Sequence, residues 1–339
     1  MTLLKWRVFN MALLLAMAVM MPSAINAQTQ MSEIPLGSGS SSGGSFGGAE
    51  TMNGGSLLDG GDTTSGGELS VGTTGPEAIA FDGTYVWVAT QFNDSITRVR
   101  VSDGAVYGTF KVGRRPVALL YAANAIWVAN LLSNNVMKIT PSTGAIAGTY
   151  VAGDGPGGLA FDGSNIWVAN RHSNNVTKLS AKGSVLGTFA VGKRPIGLAF
   201  AGNSIWVANS NSNSVTRLST AGALLGTYEV GRGPFGVAAE GLNVWITNYF
   251  GQSVTKLRAS DGLNLGTFKV GDGAAGIAFD GTNMWVVNNG DSTLMKVTTE
   301  GTVVSTYATG KGPFAVALGG SKVWVPNFAS NSVSTTAAN

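Results

Sequence analysis

The chain has no cysteine and one histidine, His172, and only 12% of its 339 residues are charged. Without cysteine there can be no disulfides, no thiolate metal sites and no lipid attachment through an N-terminal cysteine. A single histidine leaves few of the residue types on which catalysis draws. Charge is not only scarce but nearly balanced, with a formal net value of +3. Met1 to Ala27 reads as a cleaved secretory signal. Lys5 and Arg7 form its positive start, Met11 to Met21 its apolar core, and Ile25-Asn26-Ala27 the cleavage site. The apolar run is too short to span a bilayer comfortably, so no transmembrane segment is expected after cleavage. Taking Lys5 and Arg7 from +3 leaves +1, a poor balance for binding nucleic acid. The expectation is an exported monomer, periplasmic or extracellular at the cell surface.

Residues 28–67 are short of apolar side chains and rich in glycine and serine, which predicts a flexible linker. Gly39-Ser40-Ser41-Ser42-Gly43 matches the spelling of a nucleophile elbow. That chemistry needs a strained strand-to-helix turn, which such a linker does not supply.

What the remainder has in abundance is repetition. Seven tryptophans (Trp87, Trp127, Trp167, Trp206, Trp245, Trp285, Trp324) follow one another at gaps of 40, 40, 39, 39, 40 and 39 residues. A period in this range marks stacked or ringed supersecondary units. Each unit reads as four short strands. In the third they are Gly158 to Phe161, Ile166 to Ala169, Val176 to Leu179 and Val185 to Val191, with Asp162-Gly163 and Gly183 at turns. The first two strands are apolar at consecutive positions, so both sheet faces are covered. Blades packed face to face in a β-propeller produce that pattern, and the tryptophans then serve as packing between blades.

The seventh unit lacks a fourth strand, and Glu68-Leu69-Ser70-Val71-Gly72 has the pattern of one. The reading is therefore an all-β, seven-bladed propeller over residues 68–339, its four-stranded antiparallel blades closed by an N-terminal strand that completes the C-terminal blade. Every unit keeps 11 residues from the loop proline (Ala274 in the sixth) to Trp and 9 from Trp to the third strand. The length variation is therefore assigned to the turn between strands three and four. Three G-x-G-x-x-G matches, starting at Gly153, Gly231 and Gly271, recur in register and open strands rather than helices, so they imply no dinucleotide. The asparagine that ends strand two (Asn130, Asn170, Asn209, Asn248, Asn288, Asn327) is expected to bond loop backbone.

Gly-Pro-x-Gly-x-Ala-Phe-Asp-Gly followed by Ile-Trp-Val-Ala-Asn resembles the repeat of the streptogramin (virginiamycin B) lyase-like propellers. Val244-Trp245-Ile246-Thr247-Asn248 is also similar to the Tyr-Val-Thr-Asn repeat of bacterial surface propellers. The lyase family implies several histidines and a glutamate around Mg²⁺ to open a lactone. With His172 alone, that site does not carry over.

The loops from strand four to the next strand one rim the channel. They hold Arg114, Arg115, Lys193, Arg194, Arg232 and Lys311 against Asp154 and Asp272, with Arg171 and His172 in a neighbouring loop. A one-signed concave rim concentrates anions. The leading expectation is a non-enzymatic binding or scaffold module whose partner, an anionic small molecule, polysaccharide or protein, docks at this basic face. No cofactor is expected. The alternative is a lyase or lactone-cleaving enzyme using His172 as general base. Asp154 or Glu77 would then hold Mg²⁺ or Ca²⁺ through oxygen ligands.

Overall fold

A computed structural model describes residues 67–70 and 74–338, so the leader and linker readings, and Val71 and Gly72 of the closing strand, lie outside the described residues. The described residues form seven four-stranded antiparallel sheets. The innermost strands are Pro76–Phe81, Pro116–Ala122, Pro156–Phe161, Pro195–Ala201, Pro234–Glu240, Ala274–Phe279 and Ala317–Gly319. In six blades the chain runs outward through strands two, three and four. The seventh ends on Ser332–Ala337, and Gly67–Ser70 supplies its fourth strand with Leu69 opposite Val333. The ring is closed as the sequence implied, and closure leaves no open end to the stack of blades.

Each of the seven repeat tryptophans is buried to 1% exposure or less. The Trp167 cluster joins Ala160 and Val176 of its own blade to Leu198, Ile205 and Val207 of the next. Its indole N–H donates to Asp162 Oδ2 at 2.8 Å. Phe189 packs 5.6 Å away and the Lys178 ammonium sits 5.2 Å from the ring centre. The same ammonium then donates to Thr220 O of the next blade at 2.6 Å. Lys138, Arg217, Lys256 and Lys296 repeat this staple across their own blade junctions. One side chain thus combines a cation–π contact with a charge-assisted bond that ties adjacent blades.

The length variation lies where it was assigned. In blades one, two and five the closing turn bond spans five residues (Arg100 N to Ala105 O, Thr140 N to Ala145 O, Arg258 N to Leu263 O). In blades three, four and six it spans four (Ser180 to Ser184, Ser219 to Ala223, Thr298 to Thr302).

The strand-two asparagine does a different job from the one its sequence suggested. Its amide N–H reaches across to strand three, as from Asn209 to Thr216 Oγ1 and from Asn248 to Thr255 Oγ1, both at 2.9 Å. Only Asn170 bonds loop backbone, accepting from Gly153 N at 3.1 Å. The register explains this, because the asparagine faces the first residue of strand three directly. The loop backbone is held instead by residues in left-handed conformation at the strand-two-to-three turn. Asp94, Asn134, Asn174 and Asn213 accept from Arg115 N, Gly155 N, Arg194 N and Gly233 N at 2.8 to 3.0 Å. Asparagine and aspartate tolerate this conformation better than other side chains.

Candidate binding face at the channel mouth

Three residues per blade build the mouth of the channel: the last of the rim loop, the second of strand one and the first after strand two. At the rim position five blades carry glycine at φ between 63° and 68° (Gly75, Gly155, Gly233, Gly273, Gly312). The other two carry Arg115 at φ 57° and Arg194 at φ 52°. A left-handed residue with a Cβ costs on the order of 1–2 kcal/mol, so two blades keep arginine where glycine would be easier. Asp94 and Asn174 pin the backbone of these arginines, each from the preceding blade.

The second residue of strand one, or its equivalent in blade seven, is Glu77, Val117, Gly157, Ile196, Phe235, Ala275 or Phe314. Five of these join Leu131 and Tyr249 in one buried apolar cluster. Glu77 and Arg171 are embedded at the same level, 0% and 2% exposed. Arg171 fits because blade three has no side chain at this position. A Cβ on Gly157 would lie 2.0 Å from Arg171 Nε, and the guanidinium donates to Gly157 O at 3.3 Å. Arg115 Nε donates to Gln91 Oε1 at 2.6 Å.

Both Glu77 oxygens, together with Arg171 Nε and Nη1 and Gln91 Nε2, are buried without a hydrogen-bond partner. Burial pushes the Glu77 carboxyl well above the ordinary glutamate value, against the pull of Arg171 and then Arg115. Burial likewise lowers Arg171 well below the usual arginine value, with Glu77 opposing and Arg194 and Arg115 adding to the lowering. Arg115 and Arg194 are lowered by burial too. Guanidinium groups keep their protons in proteins, so the mouth holds three desolvated cations, with the Glu77 carboxyl buried among them and Asp94 beside Arg115.

The other side of the mouth is aromatic. Phe92, Phe328, Phe314, Phe235, Tyr249 and Phe250 form a chain with successive ring centroids 5.4, 6.0, 6.5, 5.8 and 5.2 Å apart. Phe92 and Phe250, at its two ends, are 67% and 47% exposed. Between the sectors Arg194, Ser210, Phe235, Tyr249 and Phe250 line a crevice of about 10 Å³, about one probe sphere, the least that holds a water.

The rim residues read from the sequence divide into two kinds. Arg114, Asp154, Lys193, Arg232 and Lys311 are exposed, whereas Arg115 and Arg194 are half-buried and Arg171 is buried. His172 stands over Gly155, with Nδ1 3.5 Å from Asp154 Oδ1 and both side chains about half exposed. Among the described residues no three His, Asp or Glu side chains come together to hold a metal ion. Glu77 faces guanidiniums, which do not suit a dication, so the donor set does not fit a Mg²⁺ site. Sequence reading missed Gln91, Tyr249 and the aromatic sector. They were legible as the places after the strand-two asparagine, or after Thr90, where the repeat stops repeating.

The fold and its mouth define the class: a closed seven-bladed β-propeller with a two-sided face, cationic and aromatic, at the channel mouth. No family model and no curated protein matches the chain. Solved structures do. A streptogramin B lyase structure aligns with TM-score 0.71 over 80% of this chain and 96% of that one, at 18% identity. The virginiamycin B lyase from Staphylococcus aureus gives 0.71, 80%, 98% and 18% in the same terms. The hydrazine synthase of Kuenenia stuttgartiensis gives 0.71, 80%, 97% and 17%. The resemblance to the streptogramin lyase propellers is thus one of fold. Differently named enzymes share it, and fold does not determine activity.

Proposed function

We propose that this chain is an exported binding propeller whose channel mouth docks an acidic polysaccharide. The observation that carries the reading is the pair Arg115 and Arg194, left-handed where five blades keep glycine and flanking the embedded Arg171. Backbone strain retained beside desolvated charge points to a functional surface. Three guanidiniums against the Glu77 and Asp94 carboxyls leave excess positive charge that an arriving carboxylate neutralises, in the bidentate geometry arginine favours. The exposed Phe92 and Phe250 offer flat apolar faces to sugar rings. The near-neutral chain gives nucleic acid no long-range pull. Polygalacturonate immobilised on a sensor surface tests the reading. Binding is expected, weakened about tenfold or more by Arg171→Met and absent with neutral dextran. Equal binding of both polymers, or retention of an acidic protein instead, overturns it.

The second reading is a lyase or lactone-cleaving activity, favoured by the His172–Asp154 pair at the mouth and by the likeness to streptogramin lyases. In it His172 accepts a proton and Asp154 orients the ring. Turnover of a lactone panel by purified protein, abolished by His172→Ala, would establish this reading; no turnover would remove it.

A further inference from the structure

The channel's other end, where strand one meets strand two, holds a cavity of about 610 Å³. The last residue of strand one, or its equivalent, is large in six blades: Phe81, Tyr121, Phe161, Phe200, Phe279 and Leu318. In blade five the same place is Ala239. Three residues on, the turn carries a small polar residue in six blades: Thr84, Asn124, Ser164, Asn203, Thr282 and Ser321. In blade five it is Leu242, 79% exposed. Both exceptions fall in one blade, and both residues line the cavity.

We infer that this end of the channel is a binding site for a neutral, apolar or aromatic small molecule. The missing ring at Ala239 opens the wall, and Leu242 brings an apolar side chain to the gap. Tyr121, Phe161 and Phe200 line the remainder from the three preceding blades. The volume falls in the range of small-molecule sites, which are mostly apolar with a few polar groups. Here the Tyr121 hydroxyl and the Asn203 amide supply that polarity. No charged side chain lines the cavity, which sets it apart from the arginine-bearing mouth.

The test is titration of the full chain with N-phenyl-1-naphthylamine, a neutral apolar fluorophore. One saturable site is expected. Ala239→Phe, which restores the ring that other blades carry, should weaken binding tenfold or more. Leu242→Ser, on the exposed turn, should weaken it severalfold with an unchanged melting temperature. Identical titrations for wild type and both variants would overturn the inference. So would a dimer in sedimentation that Leu242→Ser splits, because a second copy would then be the occupant.

Discussion

Between the blades, strand two places tryptophan at the same point seven times, and in six blades a strand-three cation and a strand-four aromatic ring recur around it. At the channel mouth, four residues further along the same strand and the turn beyond, the seven places hold Gln91, Leu131, Arg171, Ser210, Tyr249, Asn289 and Phe328. The first region repeats because each blade solves the same packing problem against the same neighbour. The second has no neighbour to match, so nothing in the architecture requires its residues to agree. Where they carry buried charge, unpartnered polar atoms and left-handed arginines, they act against stability. The difference teaches which residues to attribute to the ring and which to its use.

The largest test of this contrast is in the packing layer. Trp167→Ala should cost about 3–5 kcal/mol, a large part of a typical domain's 5–15 kcal/mol, read from urea unfolding. Next comes the latch. A chain beginning at residue 66 should melt like the mature protein, while one beginning at 71 loses Gly67–Ser70 and its pairing with Ser332–Thr335. Burying Leu69 contributes at most about 1.5–3 kcal/mol, and the stranded backbone of the last strand adds to the loss. Equal midpoints for the two chains would mean that this strand does not close the ring.

A smaller effect separates the mouth from the packing layer by pH. The folded-state value of Glu77 lies above its unfolded value. Below the ordinary glutamate range both states are protonated and Glu77 has no pH-dependent effect. As pH rises from there toward the folded value, the unfolded chain releases the proton first. Stability then falls by about 1.4 kcal/mol per pH unit until the folded carboxyl also ionises. Glu77→Gln removes this slope, so wild type and variant should diverge as pH rises above the ordinary glutamate range. Parallel curves would mean that Glu77 is not held in a desolvated site.

The ring was legible in the sequence because it is periodic. Tryptophan spacing gave the blades, the truncated last unit gave the latch, and the 39- and 40-residue gaps located the variable turn. The mouth was legible only in part. Arg114 and Arg115 are adjacent in the chain and looked alike. The left-handed backbone at Arg115 separates them, leaving one exposed and the other half-buried beside Gln91. Arg171 was read as a loop cation, and its burial depends on the missing side chain of Gly157, 14 residues away. Glu77 entered only as a candidate carboxylate, since no local pattern places it across the channel from Arg171. Pairings between blades depend on ring geometry, which a repeat spells out for shared positions and leaves unspecified for those that differ.

The claim that the mouth is kept for binding at some cost to the ring is tested most directly by Arg194→Gly, which installs the residue five other blades use. Thermal melts and polygalacturonate titrations of wild type and variant, run side by side, supply both readouts. Relief of the left-handed arginine, offset by the greater unfolded-state freedom of glycine, should leave stability unchanged or raise it by about 1 kcal/mol. Binding should fall severalfold in the same variant. A variant that melts lower and binds as well as wild type would contradict the claim and make Arg194 a structural residue.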